Sequence, residues 1–339
     1  MWETSPIDQD HLSLLSHLGE FHNTVTTVFH LYAYANESEC RVHTFCEVDL
    51  VDEITSSSGG NEPPSYSGDI IESMPDEVWA EDVWTEKREA EAVRRVQQQG
   101  KFMSSFYRRL YTEKAHRYWH EFYRRNQDHF YKDRHYLHKI FPALSYTPTS
   151  TMLNLLEIGC GVGNAVLPLM ELNPSLNVVA VDFAPSAISL LSRNPVAIEN
   201  GNRFRCEVCD ISSDELPVPD GWADLILCFF VLSAIAPEHY SSVSAKVQRA
   251  LKPNGKLLLR DYGRYDEAQL RFKKGRRLEE NFYVRQDGTC AYYFGLDDLR
   301  KVFSNLNEEK CEYVLRQQAN RKLKQARYRV WVEAIFSKE

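Results

Sequence analysis

The segment that most constrains the fold is an apolar run that ends in three closely spaced glycines. Residues 151–159 read TMLNLLEIG, and further glycines follow at positions 161 and 163. A short apolar run that meets glycines is typical of a buried parallel strand at its carboxyl end. Glycines let the backbone turn tightly and approach a ligand where Cβ atoms would collide. This segment therefore predicts a strand followed by a ligand-binding loop.

Short apolar strands and helical patterns alternate after this loop. Such β-α-β alternation is typical of a parallel sheet with helices on both faces. Near the C-terminus, CEYVLRQ and ARYRVWVEAIF predict a closing antiparallel pair, so we expect a Rossmann-like α/β fold with a seven-stranded, mostly parallel sheet. A polar insertion, residues 264–294, interrupts the pattern. The predicted strands are residues 177–182, 203–210, 223–232 and 256–263, and the predicted helices are 184–193, 237–251 and 296–303.

The part of the chain before the predicted sheet divides into two stretches. Residues 1–75 include a Ser-, Gly- and Pro-rich linker at positions 55–69 and predict a poorly ordered acidic extension. Residues 76–148 predict a helical segment, in which Thr85 is a candidate N-cap and residues 101–140 interleave aromatic side chains with ten Lys and Arg. The ligand-binding α/β domain then occupies residues 149–339.

Charge is distributed unevenly along the chain. Residues 1–90 hold 19 Asp and Glu against 3 Lys and Arg, so residues 91–339 carry a formal charge of +8 within a total of −8. A basic body is compatible with a polyanionic partner, although an ordinary basic surface has the same composition. The sequence shows no apolar run of membrane-spanning length and no secretory pattern.

The eight cysteines are scattered and suit reduced thiols in a cytoplasmic protein, with the nucleus as an alternative location. Cys206 and Cys209 have the spacing of half a metal site, but a second pair at metal spacing is missing. We therefore expect this pair to be structural and predict no metal site.

Two acidic residues end the strands that follow the glycine loop. Asp182 ends the second predicted strand, where an acid can accept hydrogen bonds from both ribose hydroxyls, and Asp210 ends the third. The glycine motif fails the Rossmann dinucleotide fingerprint because Asn164 occupies the position that needs Gly or Ala. A phosphate-binding loop of the GxxxxGK[ST] type is also missing from the sequence.

The string Glu157-x-Gly-x-Gly-x-Gly163 resembles motif I of the class I methyltransferases. The resemblance implies S-adenosyl-L-methionine as the cofactor. In that family the acid in the position of Asp182 contacts the ribose. The acid in the position of Asp210 lies against the adenine amino group, with the Ile211 backbone beside it. The implied motif I positions are Glu157, Gly159, Gly161 and Gly163.

Seven further strings resemble the eukaryotic tRNA 3-methylcytidine methyltransferases, which modify a cytidine of the anticodon loop. The likeness is collinear over residues 76–339, and its closest branch is the cytosolic one that acts on position 32 of threonine and arginine tRNAs. Cys290 departs from the pattern, since a basic residue is expected there. The strings are WHEFYRRN (119–126), FYKDRH (130–135), LEIGCGVGN (156–164), FVLSAI (230–235), LRDYGRYD (259–266), RFKK (271–274) and NFYVRQDGT (281–289).

This resemblance also implies site residues outside motif I. Trp119 and Tyr123 should cover the cofactor from the N-terminal segment, with Phe229 beside it. Arg134, Arg260 and Asp261 are candidates for holding the target nucleotide or completing the pocket, and Asp261 for stabilising the cationic product. Simple packing of the aromatic stretch and a salt bridge of Arg134 are the structural alternatives. Expected phosphate contacts are Lys132, Arg134, Arg271, Lys273, Lys274, Arg276 and Arg277, and near the C-terminus Arg321, Lys322, Lys324, Arg327 and Arg329.

The expected partner is a tRNA, and the resemblance implies a second protein as well, because some members of that family work with an aminoacyl-tRNA synthetase or an anticodon-reading adaptor. Two other functions stay open at this point. The chain could be a class I methyltransferase that acts on a protein or a small molecule, or an inactive methyltransferase fold that serves as an RNA-binding adaptor.

Overall fold

A computed structural model of the protein describes residues 77–81, 83–146, 151–320 and 325–339. The predicted acidic extension and its linker lie outside the described residues, as do Arg321, Lys322 and Lys324. None of the helices within the described ranges is long and apolar enough to cross a membrane.

The strands form an eight-stranded sheet and a separate three-stranded sheet. The strands are β1 (Glu77–Glu81), β2 (Leu153–Ile158), β3 (Leu176–Asp182), β4 (Phe204–Val208), β5 (Ala223–Phe229), β6 (Leu251–Tyr262), β7 (Arg277–Glu279), β8 (Phe282–Val284), β9 (Cys290–Tyr292), β10 (Asn307–Asn320) and β11 (Gln325–Ser337). The helices are α1 (Glu86–Gln98), α2 (Ser105–Glu113), α3 (Ala115–Asn126), α4 (Leu137–Ile140), α5 (Val166–Leu172), α6 (Pro185–Leu191), α7 (Pro195–Glu199), α8 (Tyr240–Ala250), α9 (Glu267–Leu270) and α10 (Leu296–Val302).

The large sheet has the order β1-β10-β11-β6-β5-β2-β3-β4. Strands β4, β3, β2, β5 and β6 pair in parallel, and β6, β11 and β10 pair antiparallel. The prediction of seven mostly parallel strands with a closing antiparallel pair is thus confirmed. The sequence analysis did not foresee β1, which pairs antiparallel with β10 and adds an eighth strand at that edge.

Both faces of the central strands are buried, which explains why their sequences are nearly continuous apolar runs. On one face, Leu156 and Ile158 of β2 belong to a core that includes Val243 and Val247 of α8. On the other face, Leu155 belongs to a core that includes Val166 and Leu169 of α5. Burying this apolar surface is the main force that holds the sheet and its helices together.

The N-terminal helices are held against the edge of the sheet where the strands end. The Thr85 hydroxyl accepts a hydrogen bond from the Arg88 backbone N–H at 3.3 Å, which confirms the predicted N-cap of α1. On α3, Trp119, Phe122 and Tyr123 form one buried aromatic face, and this face packs with Ala184 at the start of α6. An aromatic helix therefore lies directly beside the glycine loop.

The insertion between β6 and α10 is less polar in structure than its sequence suggested. Strands β7, β8 and β9 form the three-stranded sheet, whose Phe282, Tyr283 and Val284 are completely buried. The Phe272 ring stacks on that of Tyr283 with centroids 4.6 Å apart. Polar residues dominate the composition of this stretch because a small sheet exposes much of its surface. The insertion is therefore a packed unit of the fold.

Candidate active site

A pocket lies at the carboxyl ends of β2, β3 and β5, beneath helix α3. Its walls include six residues that the sequence analysis assigned to a cofactor site, namely Trp119, Tyr123, Gly159, Asp182, Asp210 and Ile211. The carboxyl ends of parallel strands are where doubly wound α/β folds bind their ligands. The structure thus brings together residues that lie up to 92 positions apart in the sequence.

The glycine loop forms one wall of the pocket. At two of its glycines, a Cβ atom would collide with residues that line the pocket. Gly159 has a φ of +66°, and a Cβ atom there would lie 2.2 Å from Val231 Cγ2. Gly161 has a φ of +54°, and its Cβ would lie 2.5 Å from the Tyr123 hydroxyl. Gly163 has a different role, because its close neighbours are the side chains of Leu167 and Leu191 in the flanking helices. A larger residue at 159 or 161 would displace the walls of the pocket.

Asp182 holds the shape of this loop while it lines the pocket. Its Oδ2 accepts a hydrogen bond from the Gly161 N–H at 2.9 Å, and its Oδ1 accepts one from the Ala184 N–H at 2.9 Å. Burial raises the pKa of this carboxyl to about 6, although the two backbone hydrogen bonds oppose the rise. Each carboxylate oxygen can accept a further hydrogen bond, so Asp182 can bind hydroxyl groups of a ligand in the pocket.

Asp210 lies at the next strand end along the sheet. Its Oδ1 accepts hydrogen bonds from the backbone N–H of Ser212 at 2.9 Å and from the Ser212 hydroxyl at 2.6 Å. The backbone N–H of Asp210 donates to the Asp214 carboxylate at 2.9 Å. This turn fixes Asp210 and Ile211 in the pocket wall, and the Lys246 ammonium donates to the Ile211 carbonyl at 2.8 Å.

Glu157 and Arg134 carry buried polar atoms that no described residue satisfies. Glu157 Oε2 and Arg134 Nη1 have no hydrogen-bond partner within the described part of the chain. Burial raises the pKa of Glu157 to about 8, and the nearby positive charge of Arg134 opposes this rise. Buried polar groups nearly always have partners, so an acceptor for Arg134 and a donor for Glu157 fit this end of the site. The α-carboxylate and α-ammonium of the methionine part of S-adenosylmethionine have this chemistry.

Arg134 reaches this position because its chain segment is attached to the glycine loop. The Arg134 backbone N–H donates to the Asn164 carbonyl at 2.8 Å. The Asn164 side-chain amide donates to the Tyr131 carbonyl at 3.1 Å and to the Asp133 carboxylate at 3.0 Å. Asn164, which excluded a dinucleotide fingerprint, therefore connects the N-terminal segment to the cofactor loop.

The end of β5 corrects one predicted contact. Phe229 is buried in the core, where its ring stacks on that of Phe141 with centroids 5.5 Å apart. The next residue, Phe230, lines the pocket instead and has a φ of +60°. The chain turns at this position, which exchanges the faces that strand alternation would assign. The expectation that Phe229 lies beside the cofactor is therefore replaced by Phe230.

Asp261 lies near the end of β6 and is not one of the residues that line the pocket. It is completely buried, with Oδ2 accepting from the Ser233 N–H at 2.9 Å and Oδ1 from the Tyr262 N–H at 2.8 Å. Burial raises the pKa of this carboxyl to about 6. The turn it holds contains Ala234, which lines the pocket. Asp261 thus supports a wall of the pocket from behind, and its stabilisation of the cationic product stays a prediction.

The expected phosphate-binding residues divide into two groups. Lys132, Lys273 and Lys274 are exposed and Arg271 is half-buried, with the two adjacent lysines lining an open groove beside Arg95 and Gln98 of α1. Arg327 and Arg329 are both about nine-tenths buried, and Arg329 Nε lies 2.9 Å from Asp266 Oδ2. Arg329 is therefore held by an ion pair within the protein, which the prediction of a phosphate contact did not foresee, and the phosphate contact of Arg327 stays a prediction.

Several pocket residues were missed by the sequence analysis. Phe183 and Ser212 directly follow Asp182 and Ile211, so their position after a strand could have identified them. Phe282 and Cys290 come from the insertion, where no local sequence signal points to a pocket. Cys290, the departure from the family pattern, is buried in this wall.

The parallel sheet, the glycine loop and the strand-end acids define a class I S-adenosylmethionine-dependent methyltransferase. In agreement, residues 156–257 match the family model described as a methyltransferase domain. S-adenosylmethionine is the methyl donor, and the strand-end acids that line the pocket fit it.

Comparison with known proteins narrows this class. The chain is 38% identical to the tRNA N(3)-cytidine methyltransferase METTL2 of Danio rerio, over 77% of this chain and 84% of that protein. It is 39% identical to the tRNA N(3)-cytidine methyltransferase METTL6 of Homo sapiens, over 70% and 84%. A tRNA(Thr) (cytosine(32)-N(3))-methyltransferase of Saccharomyces cerevisiae is 37% identical, over 76% of this chain and 43% of the yeast protein. The chain therefore belongs to the tRNA N(3)-cytidine methyltransferase family, as the sequence resemblance indicated.

Proposed function

We propose that this protein transfers the methyl group of S-adenosylmethionine to N3 of a cytidine at position 32 in the anticodon loop of a tRNA. The observation that carries the proposal is a single pocket that runs from the cofactor residues Asp182 and Asp210 to Phe282 and Cys290 of the insertion. We assign the target base to the end of this pocket that Phe282 and Cys290 line. The names of the relatives, which modify N3 of cytidine in tRNA, supply its identity.

The chemistry makes few demands on the protein. The sulfonium supplies a methyl group that is already electrophilic, so the chain must hold donor and acceptor in line and exclude water. The N3 lone pair of a neutral cytosine can attack directly, but N3 lies on the Watson–Crick edge. The target base must therefore be unstacked from its loop before it enters the pocket.

The cofactor half of the pocket is assigned to the strand ends and to α3. Asp182 accepts the ribose hydroxyls, while Asp210 and the Ile211 backbone bind the adenine. Trp119 and Tyr123 of α3 cover the cofactor and exclude water. The amino-acid end is held by Glu157 and Arg134, whose buried polar atoms are otherwise unsatisfied among the described residues.

The nucleotide half uses residues of β6 and of the N-terminal segment. Arg134 lies between the two halves, because its guanidinium is close to Glu157 and 4.8 Å from the Phe230 ring centroid. Arg260 forms a buried ion pair with Glu333 at 3.1 Å and shapes the floor. Asp261 acts as a positioning residue through the turn that it holds. Exposed phosphate contacts are assigned to Lys132, Arg271, Lys273 and Lys274.

The test is incubation of the purified protein with labelled S-adenosylmethionine and unmodified tRNA, followed by mass spectrometry of the nucleosides. We expect label in 3-methylcytidine, and its loss with Asp182→Ala or with a tRNA that carries uridine at position 32. Label in a different nucleoside, or only in protein, would contradict the proposal.

If the purified protein forms no product, a second experiment follows. We propose that the protein acts in the cytoplasm, where an aminoacyl-tRNA synthetase or an anticodon-reading adaptor selects the tRNA. The same reaction is therefore repeated with the synthetase added. Thermal stabilisation by S-adenosylhomocysteine is measured in parallel, since an enzyme gains stability from a bound cofactor product and an inactive adaptor does not.

A further inference from the structure

One face of the sheet beyond the pocket collects arginine and aromatic side chains. In the register of β6 and β11, Tyr262 lies opposite Trp331, and in that of β10 and β11, Arg316 lies opposite Arg329. Opposed residues share a face of an antiparallel pair, as do residues two apart along one strand. Arg260, Trp331 and Arg316 therefore lie on the same face. The opposite face of these strands belongs to the core beneath α8 and α10.

The N-terminal segment completes this surface. Tyr136 is 42% exposed, and the Arg260 guanidinium lies 5.8 Å from its ring centroid. Arg134 is close enough for its charge to act on Arg260. We name the set Arg134, Tyr136, Arg260, Arg316 and Trp331 the arginine basin.

The arginine basin holds three arginines, and Glu81 lies opposite Arg316 in the register of β1 and β10. Arg260 pairs with Glu333 at 3.1 Å, but the same carboxylate also binds the Lys310 ammonium at 3.2 Å. Burial lowers the pKa of Arg260, the charges of Arg134 and Arg316 lower it further, and Glu333 opposes them. Arg260 Nε is buried and has no acceptor among the described residues. An anion that accepts hydrogen bonds would satisfy this atom, while Arg134 lies between it and the cofactor end.

Aromatic rings hold the guanidinium groups in place. Arg260 lies 4.4 Å from the Trp331 ring centroid, and Arg134 lies 4.8 Å from that of Phe230. A guanidinium stacked on a ring keeps its plane fixed while its N–H groups stay available at the edge. This arrangement suits the planar, bidentate recognition of a phosphate group.

The arginine basin adjoins the pocket through Phe230, which lines the pocket and also contacts Arg134 of the basin. A nucleotide whose base enters the pocket leaves its backbone at this rim. We propose that the arginine basin binds the RNA backbone phosphate adjacent to the target nucleotide. This inference rests on the proposed function, and it adds Arg316, Trp331 and Tyr136 to the residues that recognise the substrate.

The test variant is Arg316→Gln, and tRNA binding is read by fluorescence anisotropy in the presence of S-adenosylhomocysteine. We expect a dissociation constant about 5–10-fold higher and a slope of log K against log[salt] smaller by about 0.7–0.9, the value for one lost phosphate contact. Arg316→Lys should retain most of the affinity. The matched control is Arg300→Gln, an exposed arginine of α10 held by Asp297 and Glu308, which should leave tRNA binding unchanged.

The position of the phosphate is tested with tRNAs that carry one neutral methylphosphonate linkage. A neutral linkage beside the target cytidine should weaken tRNA binding by the wild-type protein about as much as Arg316→Gln does. The same linkage should not lower the tRNA affinity of Arg316→Gln any further. If every linkage affects the variant as it affects the wild type, or if Arg316→Gln binds normally, the proposal is wrong. Should the variant fold poorly, Arg316→Lys and the wild-type linkage series still decide the question. These readouts do not depend on methylation, so an absent 3-methylcytidine signal would refute only the proposed function.

Discussion

The two halves of the active site are built in different ways. The cofactor half consists of residues at the ends of β2, β3 and β4, each of which ends a strand that its own sequence identifies. The nucleotide half combines the end of β6 with β10, β11, the insertion and the Arg134 segment, which are far apart in the sequence. A site made from strand ends is visible in local sequence, whereas a site made by long-range packing becomes visible only in the fold.

Asp182 and Asp261 show how misleading local similarity can be. Both carboxylates lie at strand ends, both accept two backbone hydrogen bonds, and burial raises the pKa of each to about 6. Asp182 lines the pocket, while Asp261 lies behind its wall. Whether a strand-end acid faces the pocket therefore depends on how the turn that it holds packs against its neighbours.

The largest expected effect tests the strict geometry of the cofactor half. Gly159→Ala places a Cβ atom 2.2 Å from Val231 Cγ2, so the loop and the wall cannot both keep their positions. We expect methylation and S-adenosylhomocysteine affinity to fall by about 100-fold or more, since misplacement by 1 Å can cost that much. Calorimetry and a methylation assay with bulk tRNA measure the two quantities.

Gly221→Ala is the matched control for this substitution. Gly221 has the same φ of +66°, but nothing lies within 4 Å of a Cβ atom there. The control therefore carries only the dihedral cost, about 1–2 kcal/mol, and should keep its activity. Equal losses of methylation and of S-adenosylhomocysteine affinity in the two variants would show that backbone strain alone, and not the contact with Val231, explains the need for glycine at position 159.

The same division separates the features that the sequence predicted from those that it did not. The sheet, the α1 cap, the aromatic face of α3 and the pocket positions of Asp182 and Asp210 were predictable because periodicity and strand ends are local signals. Phe229 was wrong by one residue because the positive φ of Phe230 interrupts the strand pattern. Arg329 was misjudged because its partner, Asp266, lies 63 residues away. Phe282 and Cys290 could not be found, since only the packing of the insertion brings them to the pocket.

The second prediction separates the two aspartates by pH. Binding of the ribose hydroxyls requires an ionised Asp182, whose pKa is raised to about 6. We expect S-adenosylhomocysteine affinity to fall about tenfold per pH unit below 6, the change for one linked proton, whereas a change near pH 8 belongs to Glu157, whose pKa is raised to about 8. Asp182→Asn should bind weakly at every pH and lose this dependence. Asp261→Asn should keep it, because Asp261 does not line the pocket.

Stability of the cofactor-free protein should change in the opposite direction. The folded-state pKa of Asp182 lies above its ordinary value of 3.8, so the folded protein binds more protons than the unfolded chain between about pH 4 and 6. The contribution of this carboxyl to the free energy of unfolding therefore falls as pH rises through that range. Chemical denaturation of the wild type and of Asp182→Asn at pH 4.5 and 7 measures the difference. A contribution that rises with pH would contradict the burial of the group.

The smallest effect concerns the outer rim of the nucleotide half. Lys273 and Lys274 are exposed beside an open groove, in contrast to the arginine basin, where Arg260 is buried and Arg134 and Arg316 are half-buried. Replacing both lysines by Gln should weaken tRNA binding about threefold to fivefold near 0.1 M salt and lower the salt slope by at most about 1.8, two phosphate contacts. Lys301→Gln on α10 is the matched control. Because the double variant loses more of the salt slope, it should bind like the wild type once the salt is raised to about 0.3 M, whereas Arg316→Gln, with a larger loss and a smaller change of slope, should still bind more weakly there. An equal recovery of both variants at high salt would show that the arginine basin and the rim bind RNA in the same way.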